Sequence, residues 1–338
     1  MNKLTKLGVS ALCGSLAAIS SANAGDLSVT GGVDMSWISL DDETTGNPIG
    51  IGSNLTFSGS GELDNGWSVA LSVANTNANA YSNTNVVVGI PGLGDIRIDQ
   101  GTSGTGIDRM DDMTPNVWEE AYGTGLGSGI RTVNGSSGGT TIEFTPSGTP
   151  DGVTARLAWS PASAGSNSAD KGSSGDDGSV AGSAWDITVD ASSDLIGVEG
   201  LSIYAGISET EQAVNAAAYS GDQDETTVGV KYAVGSFTLG YQWSEEDLGR
   251  ASGATKYEND GYGITFNVND DLSIGYNHYE SEQTNSTNVT AEASSMQIAY
   301  TMGGASIRLA EASVDNAKYQ TTAAYDRDAT TISVSLAF

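Results

Sequence analysis

The chain has 338 residues, with 42 acidic side chains against 13 basic ones and a formal net charge of −29. That balance excludes nucleic acid as a partner, because a phosphate backbone needs a basic surface. A single cysteine (Cys13) and a single histidine (His278) exclude a disulfide framework and a metal site built from several histidines. No apolar run is long enough for a transmembrane helix, and 45 glycines against 6 prolines suit a turn-rich β chain.

Residues 1–24 read as a cleaved secretory signal. Lys3 and Lys6 make a basic start, Leu7 to Ile19 is mostly apolar, and Ala22-Asn23-Ala24 is a small-x-small cleavage site. The mature domain is then expected to span 25–338. An anchor helix is the alternative, but the run falls short of the roughly 20 apolar residues that cross a bilayer. Cys13 follows Leu12, not the small residue of a lipoprotein site, and it leaves with the signal.

From there apolar and polar residues alternate, the period of a strand with one greasy face. Leu27, Val29, Val33, Met35 and Trp37 share a face; so do Leu55 and Phe57, then Trp67, Val69, Leu71 and Val73. Val86, Val88 and Ile90 follow, and Ile96 and Ile98 flank Arg97. Ile142 and Phe144, Val153 to Trp159, Trp185 to Val189, and Leu201 and Ile203 continue the pattern. Val228 to Tyr232, Phe237 to Trp243, Tyr262 to Val268, Leu272 to Tyr276, Met296 to Met302, and Ile307 and Leu309 carry it to the last strand. Sixteen strands are predicted. The last, Ile332-Ser333-Val334-Ser335-Leu336-Ala337-Phe338, alternates perfectly and stops on an aromatic residue.

The connections alternate too. Short ones follow even strands: Asp64-Asn65-Gly66, Gly92-Leu93-Gly94, Val234-Gly235-Ser236, Asn269-Asp270 and Gly303-Gly304. Long ones follow odd strands. A soluble sandwich has no reason to sort loop length by parity, whereas a membrane barrel has short periplasmic turns and long outer loops. The competing secreted, acidic, glycine-rich fold is a calcium-binding β-helix, and its repeated nonapeptide is missing. Trp37, Trp159, Trp185 and Trp243 fall at long-loop ends, and Trp67, Tyr232, Phe237 and Phe338 at short-turn ends, as two interfacial girdles require.

The longest connection, about Gly101 to Gly129, holds Asp108, Arg109, Asp111, Asp112, Glu119 and Glu120, with Pro115 and Trp118 between them. Met110, Val117 and Trp118 give it apolar content to pack, so an ordered loop is expected. Arg109 is expected to pair with the loop carboxylates beside it.

Here a resemblance becomes specific. The unit Val86–Gly101, the loop stretch Asp111-Asp112-Met113-Thr114-Pro115 with Glu119-Glu120, and the strand Ile142-Glu143-Phe144-Thr145-Pro146 resemble the strand 4–turn–strand 5 unit, third loop and following strand of Gram-negative general porins. The terminal strand with Phe338 resembles the assembly signal of outer-membrane barrels. The resemblance implies an all-β, sixteen-stranded transmembrane barrel in the cell outer membrane. It also implies a homotrimer of such barrels, an encounter with the barrel assembly machinery, and a third loop that folds inward and narrows a pore for small hydrophilic solutes and ions. The family usually opposes an acidic loop with a dense arginine ladder, and this chain has few basic residues to supply one.

Charges between outward apolar residues are expected to face the lumen, since an Arg or Lys on the lipid face costs about 2–4 kcal/mol at the midplane. Arg97, Asp99, Arg156, Asp186, Lys231 and Arg308 occupy such positions. Arg97, Arg156, Lys231 and Arg308 are the candidate basic wall, and Asp108, Asp111, Asp112, Glu119 and Glu120 the candidate acidic constriction. Small residues at the inward positions Gly229, Gly240 and Ser306 suggest an open lumen. The acidic excess predicts a cation-leaning channel. A solute-selective channel and a plugged structural or adhesive barrel are the alternatives.

Catalysis is not expected. His278 shares parity with Tyr276 and points outward, away from any serine or acid pair that would need it. No cofactor is predicted beyond loosely held Ca²⁺ or Mg²⁺ at acidic loops such as Asp41-Asp42 and Asp176-Asp177.

Overall fold

The computed structural model describes residues 27–41, 47–76, 83–100, 104–163, 181–212, 218–285 and 287–337. The predicted signal, Phe338, Asp42 and Asp176-Asp177 lie outside them.

Sixteen antiparallel strands close into one barrel. They are β1 (Ser28–Leu40), β2 (Ile49–Glu62), β3 (Ser68–Thr76), β4 (Asn83–Ile90), β5 (Gly94–Gln100), β6 (Thr140–Pro146), β7 (Val153–Ser160) and β8 (Ala181–Ala191). The second half is β9 (Leu201–Gln212), β10 (Gln223–Val234), β11 (Phe237–Asp247), β12 (Lys256–Asn267), β13 (Leu272–Thr284), β14 (Val289–Met302), β15 (Ala305–Asp315) and β16 (Arg327–Ala337). Each strand pairs with its chain neighbours, and β1 closes on β16 from Gly32 opposite Ala337 to Leu40 opposite Ala329. Closure removes the unpaired edges that a terminal strand would otherwise leave.

The burial pattern is inverted relative to a soluble domain. Ile98, Leu157, Ile187, Leu239, Ile264, Ile298 and Ile332 lie on the outer face at 38–48% exposure, while Thr188, Asn277, Gln297 and Ser333 on the inner face are fully buried. Water cannot be the solvent of that outer face; acyl chains can. Trp159 sits opposite Trp185 at the loop ends of β7 and β8, and Phe237 packs on Phe266 with ring centroids 4.6 Å apart at the turn ends of β11 and β12. No helix among the described residues is long and apolar enough to cross a membrane.

Two connections depart from strict length parity. Where a long connection is predicted after strand 13, β13 runs on to Thr284 and β14 begins at Val289. Residues 192–200 are longer than predicted because they wind into one helical turn, Ser193–Ile196, capped by Ser192 and ended by Gly197 at φ 76°. The third loop also runs further than Gly129: β6 begins only at Thr140, and Gly135–Gly138 form a last 3₁₀ turn before it.

Candidate functional site: the inward third loop

The third loop enters the barrel because the inner wall offers it hydrogen-bond partners. A backbone folded away from water needs each N–H and C=O satisfied. Asp186 on β8 supplies several partners. Its carboxylate accepts Ile107 N at 3.2 Å, Ser136 N at 3.1 Å and Ser136 Oγ at 2.7 Å, so it clamps the two feet of the loop together. Gly106 turns there at φ 55°, and a Cβ on it would run into the Asp186 carboxylate, so only glycine fits. Glu143 on β6 accepts Gly106 N at 2.7 Å and Arg109 Nη2 at 2.6 Å. Arg109 is therefore tied to the wall and not to its loop neighbours, because a buried β6 carboxylate is within its reach. Glu225 on β10 accepts Asn134 N and Gly135 N, each at 2.8 Å. Arg131 makes a two-point bond to Glu246 on β11, and its guanidinium lies 5.2 Å from the Tyr257 ring centre.

Further round the wall the anchors are amides. Gln242 on β11 donates to Met110 O at 2.5 Å and accepts Met113 N at 3.2 Å. Gln297 on β14 accepts Trp118 N at 3.1 Å and donates to Glu119 O at 2.5 Å, and Asn277 on β13 also donates to Glu119 O. Pro115 lies against Gly240 and Gly263, where any side chain would collide with it. Gly229 is likewise covered by the Tyr204 ring. The prediction that Gly229 and Gly240 mark open lumen is thus corrected: they make room for the loop and for Tyr204.

The second half of the loop is held apolar side down. Leu126 and Ala121 pack with Tyr279, Ala293, Ala312, Val314, Ala317 and Ala329, all buried. Thr124, Leu126 and Ser128 face the wall and Gly123, Gly125, Gly127 and Gly129 are exposed. The carbonyls of Thr124, Leu126 and Ser128 accept Thr331 Oγ1 (3.1 Å), Arg327 Nη1 (2.9 Å) and Lys318 N (2.6 Å). Leu126→Ala is expected to weaken docking of this half by about 2–4 kcal/mol. Excess open-channel current noise in single-channel records would report it.

The five candidate carboxylates converge on the first half. Asp111 interacts with Asp112, Asp108 and Glu120; burial first and then Asp112 push its carboxyl up to about 8. Burial also raises Glu120 to about 7, with Asp112 and Glu119 adding to it and the Asn116 amide opposing. Asp108 is raised by burial against a Gly104 N–H bond, and Glu119 by burial against the attraction of Arg308. Asp112 is the exposed member.

The basic residues form no ladder. Arg97, Arg156 and Arg308 are each the fourth residue of β5, β7 and β15, and Lys231 is the fourth from the end of β10, so all four stand one short step from a periplasmic turn. Three are ion-paired on the wall: Arg97 with Asp99 (2.5 Å), Arg156 with Asp190 (2.5 Å) and Arg308 with Asp34 (2.9 Å). Lys231 makes no ion pair among the described residues; its Nζ lies 3.9 Å from Met113 Sδ, and Asp112 acts on it electrostatically. Inward positions Gly50 to Ser60 of β2, Ser68 to Thr76 of β3 and Asn85 to Gly89 of β4 carry no charge. Sequence reasoning missed Glu143, Glu225, Gln242, Glu246 and Gln297. Their inward parity was readable, but nothing in the pattern said that a loop would be waiting for them.

A closed barrel with an apolar outside, a polar inside and one long loop folded across its lumen defines an outer-membrane channel. A family model described as Gram-negative porin matches residues 8–306, and the chain belongs to that family. No curated protein sequence matches it. Among solved structures, OmpF of Salmonella typhi in complex with daunomycin superposes with TM-score 0.68 at 12% identity, covering 93% of this chain and 98% of that one. The anion-selective porin of Comamonas acidovorans gives 0.66 at 15%, covering 94% and 100%. A loop-deletion form of OmpT of Vibrio cholerae gives 0.65 at 12%, covering 93% and 99%. The protein is a general diffusion channel of the outer membrane and not an enzyme.

Proposed function

We propose that the third loop makes this channel cation-leaning. The observation that carries the reading is the meeting of Asp108, Asp111, Asp112, Glu119 and Glu120 on one loop segment, while three of the four candidate wall cations are already neutralised by wall carboxylates. A permeating ion then meets net negative charge, with Asp112 foremost and Lys231, which makes no ion pair among the described residues, acting on it electrostatically. Loop and barrel assemble as a homotrimer in this reading, supported by a Vibrio cholerae relative solved in a trimer form. The terminal strand would engage the assembly machinery.

The test is the reversal potential of the purified channel in a planar bilayer under a KCl gradient. Cation preference is expected, and it should grow as pH rises through 7 and 8. Both raised carboxyls are neutral below those values and charged above them. Anion preference, or no conductance, would overturn the proposal. The second reading, a solute-selective channel, is favoured by a cavity of about 200 Å³ beside Met113, lined by Thr154, Asp190, Ser202 and Tyr204. It predicts block of the ion current by a permeant solute at low concentration.

A further inference from the structure

The outer face of the barrel carries a charge arrangement that permeation does not use. At outward positions just beyond Tyr276 and Met296, toward the long-loop ends, carboxylates face one another strand after strand. Asp260 on β12 stands opposite Glu280 on β13, Glu280 opposite Glu292 on β14, and Glu292 opposite Asp315 on β15. Like charges directly opposite in a sheet repel. Asp260 is engaged by the Tyr241 hydroxyl. Among the described residues the other group that meets this row is the imidazole of His278, whose Nε2 lies 3.2 Å from Glu280 Oε1.

His278 and Glu280 are two apart on β13 and therefore share a face, and the register brings Glu292 onto the same face from β14. Their ligand atoms all lie within 4.8 Å of one another. The Tyr262 ring lies against the imidazole, with centroids 5.1 Å apart and an interplanar angle of 35°, which fixes its plane. A hydrogen-bonded two-strand ribbon thus presents one nitrogen and two carboxylates toward one point from a rigid base.

We propose that His278, Glu280 and Glu292 form a binding site for a divalent transition-metal ion of the zinc class, on the outer wall near the loop end. Calcium and magnesium take oxygen ligands, whereas imidazole with carboxylates suits zinc and its first-row neighbours. Three protein ligands leave a coordination position for water. The ion offsets the repulsion between Glu280 and Glu292 and staples β13 to β14 outside the pore.

The experiment is calorimetric titration of the folded barrel in detergent with zinc chloride, in the presence of excess magnesium. One zinc per chain is expected, with a higher thermal unfolding midpoint when zinc is bound. His278→Ala and Glu292→Gln should each weaken binding by more than about tenfold, the effect usually reached by losing an outer-shell partner alone. Cobalt(II) added to the unmodified barrel should give visible absorption bands that zinc displaces, which keeps the test independent of any variant's folding. Uptake unchanged in His278→Ala, zinc removed by magnesium, or no cobalt spectrum would overturn the proposal.

Discussion

Asp111→Asn/Asp112→Asn is expected to shift the reversal potential toward zero and to lower cation accumulation at the loop. A unit charge about 5 Å from an ion in water contributes about 0.8 kcal/mol, so each lost carboxylate changes local cation occupancy roughly fourfold. The share owed to Asp111 should emerge only as pH passes 8, because below that its carboxyl is already protonated. High salt should flatten the difference, since the Debye length falls from about 10 Å at 0.1 M to about 3 Å at 1 M. The same groups link pH to loop docking. Their folded pKa values stand above the ordinary carboxylate range, so the stability they contribute is full at low pH and is lost as pH rises through 7 and 8. Selectivity and docking therefore move in opposite directions with pH. A double variant whose selectivity matches the parent at every pH would remove the filter from this loop.

Asp186→Ala should have the largest structural effect. The change deletes the acceptor of Ile107 N, Ser136 N and Ser136 Oγ and leaves both amides without a partner inside the barrel. Losing hydrogen bonds to a buried charge and orphaning their donors costs about 3–5 kcal/mol. The barrel ladder does not depend on that carboxylate, so the strands should persist while the loop feet separate. Single-channel conductance is expected to rise and fluctuate, with the unheated gel mobility of the folded barrel unchanged. Unaltered conductance would show that the remaining wall anchors, with Glu143 and Glu225 at the feet, hold the loop without Asp186.

The sequence displayed the barrel because a lipid-facing strand states its own period: Ile96 and Ile98 around Arg97, or Ile307 and Leu309 around Arg308, need no tertiary knowledge to be sided. The loop was legible as a loop, and its five acids as a group, because proline, glycine and charge break that period. What it docks on was not legible. Asp186, Gln242 and Gln297 are distant in sequence and ordinary in composition, and only closure of the sheet brings them to Ile107, Met113 and Trp118. Arg109 shows the same limit: its nearest acids in sequence are loop residues, and its partner Glu143 lies 34 positions away. His278 was sided correctly by parity, but the facing of Glu280 and Glu292 required the β13–β14 register.

The loop divides its two duties between two stretches. Acids crowd 108–120, whereas 123–129 exposes only glycine and roots its intervening residues in the wall. A surface without side chains has no rotamers to flip, so this part of the bore keeps one width on the picosecond-to-nanosecond scale where ordinary linings flicker. It follows that charge can be tuned apart from calibre. Acid-to-amide changes in the first stretch alter which ions pass and leave the second untouched, whereas Gly125, Gly127 and Gly129 stand at φ 99°, 62° and 70°, so a side chain added there would strain the backbone that sets the calibre.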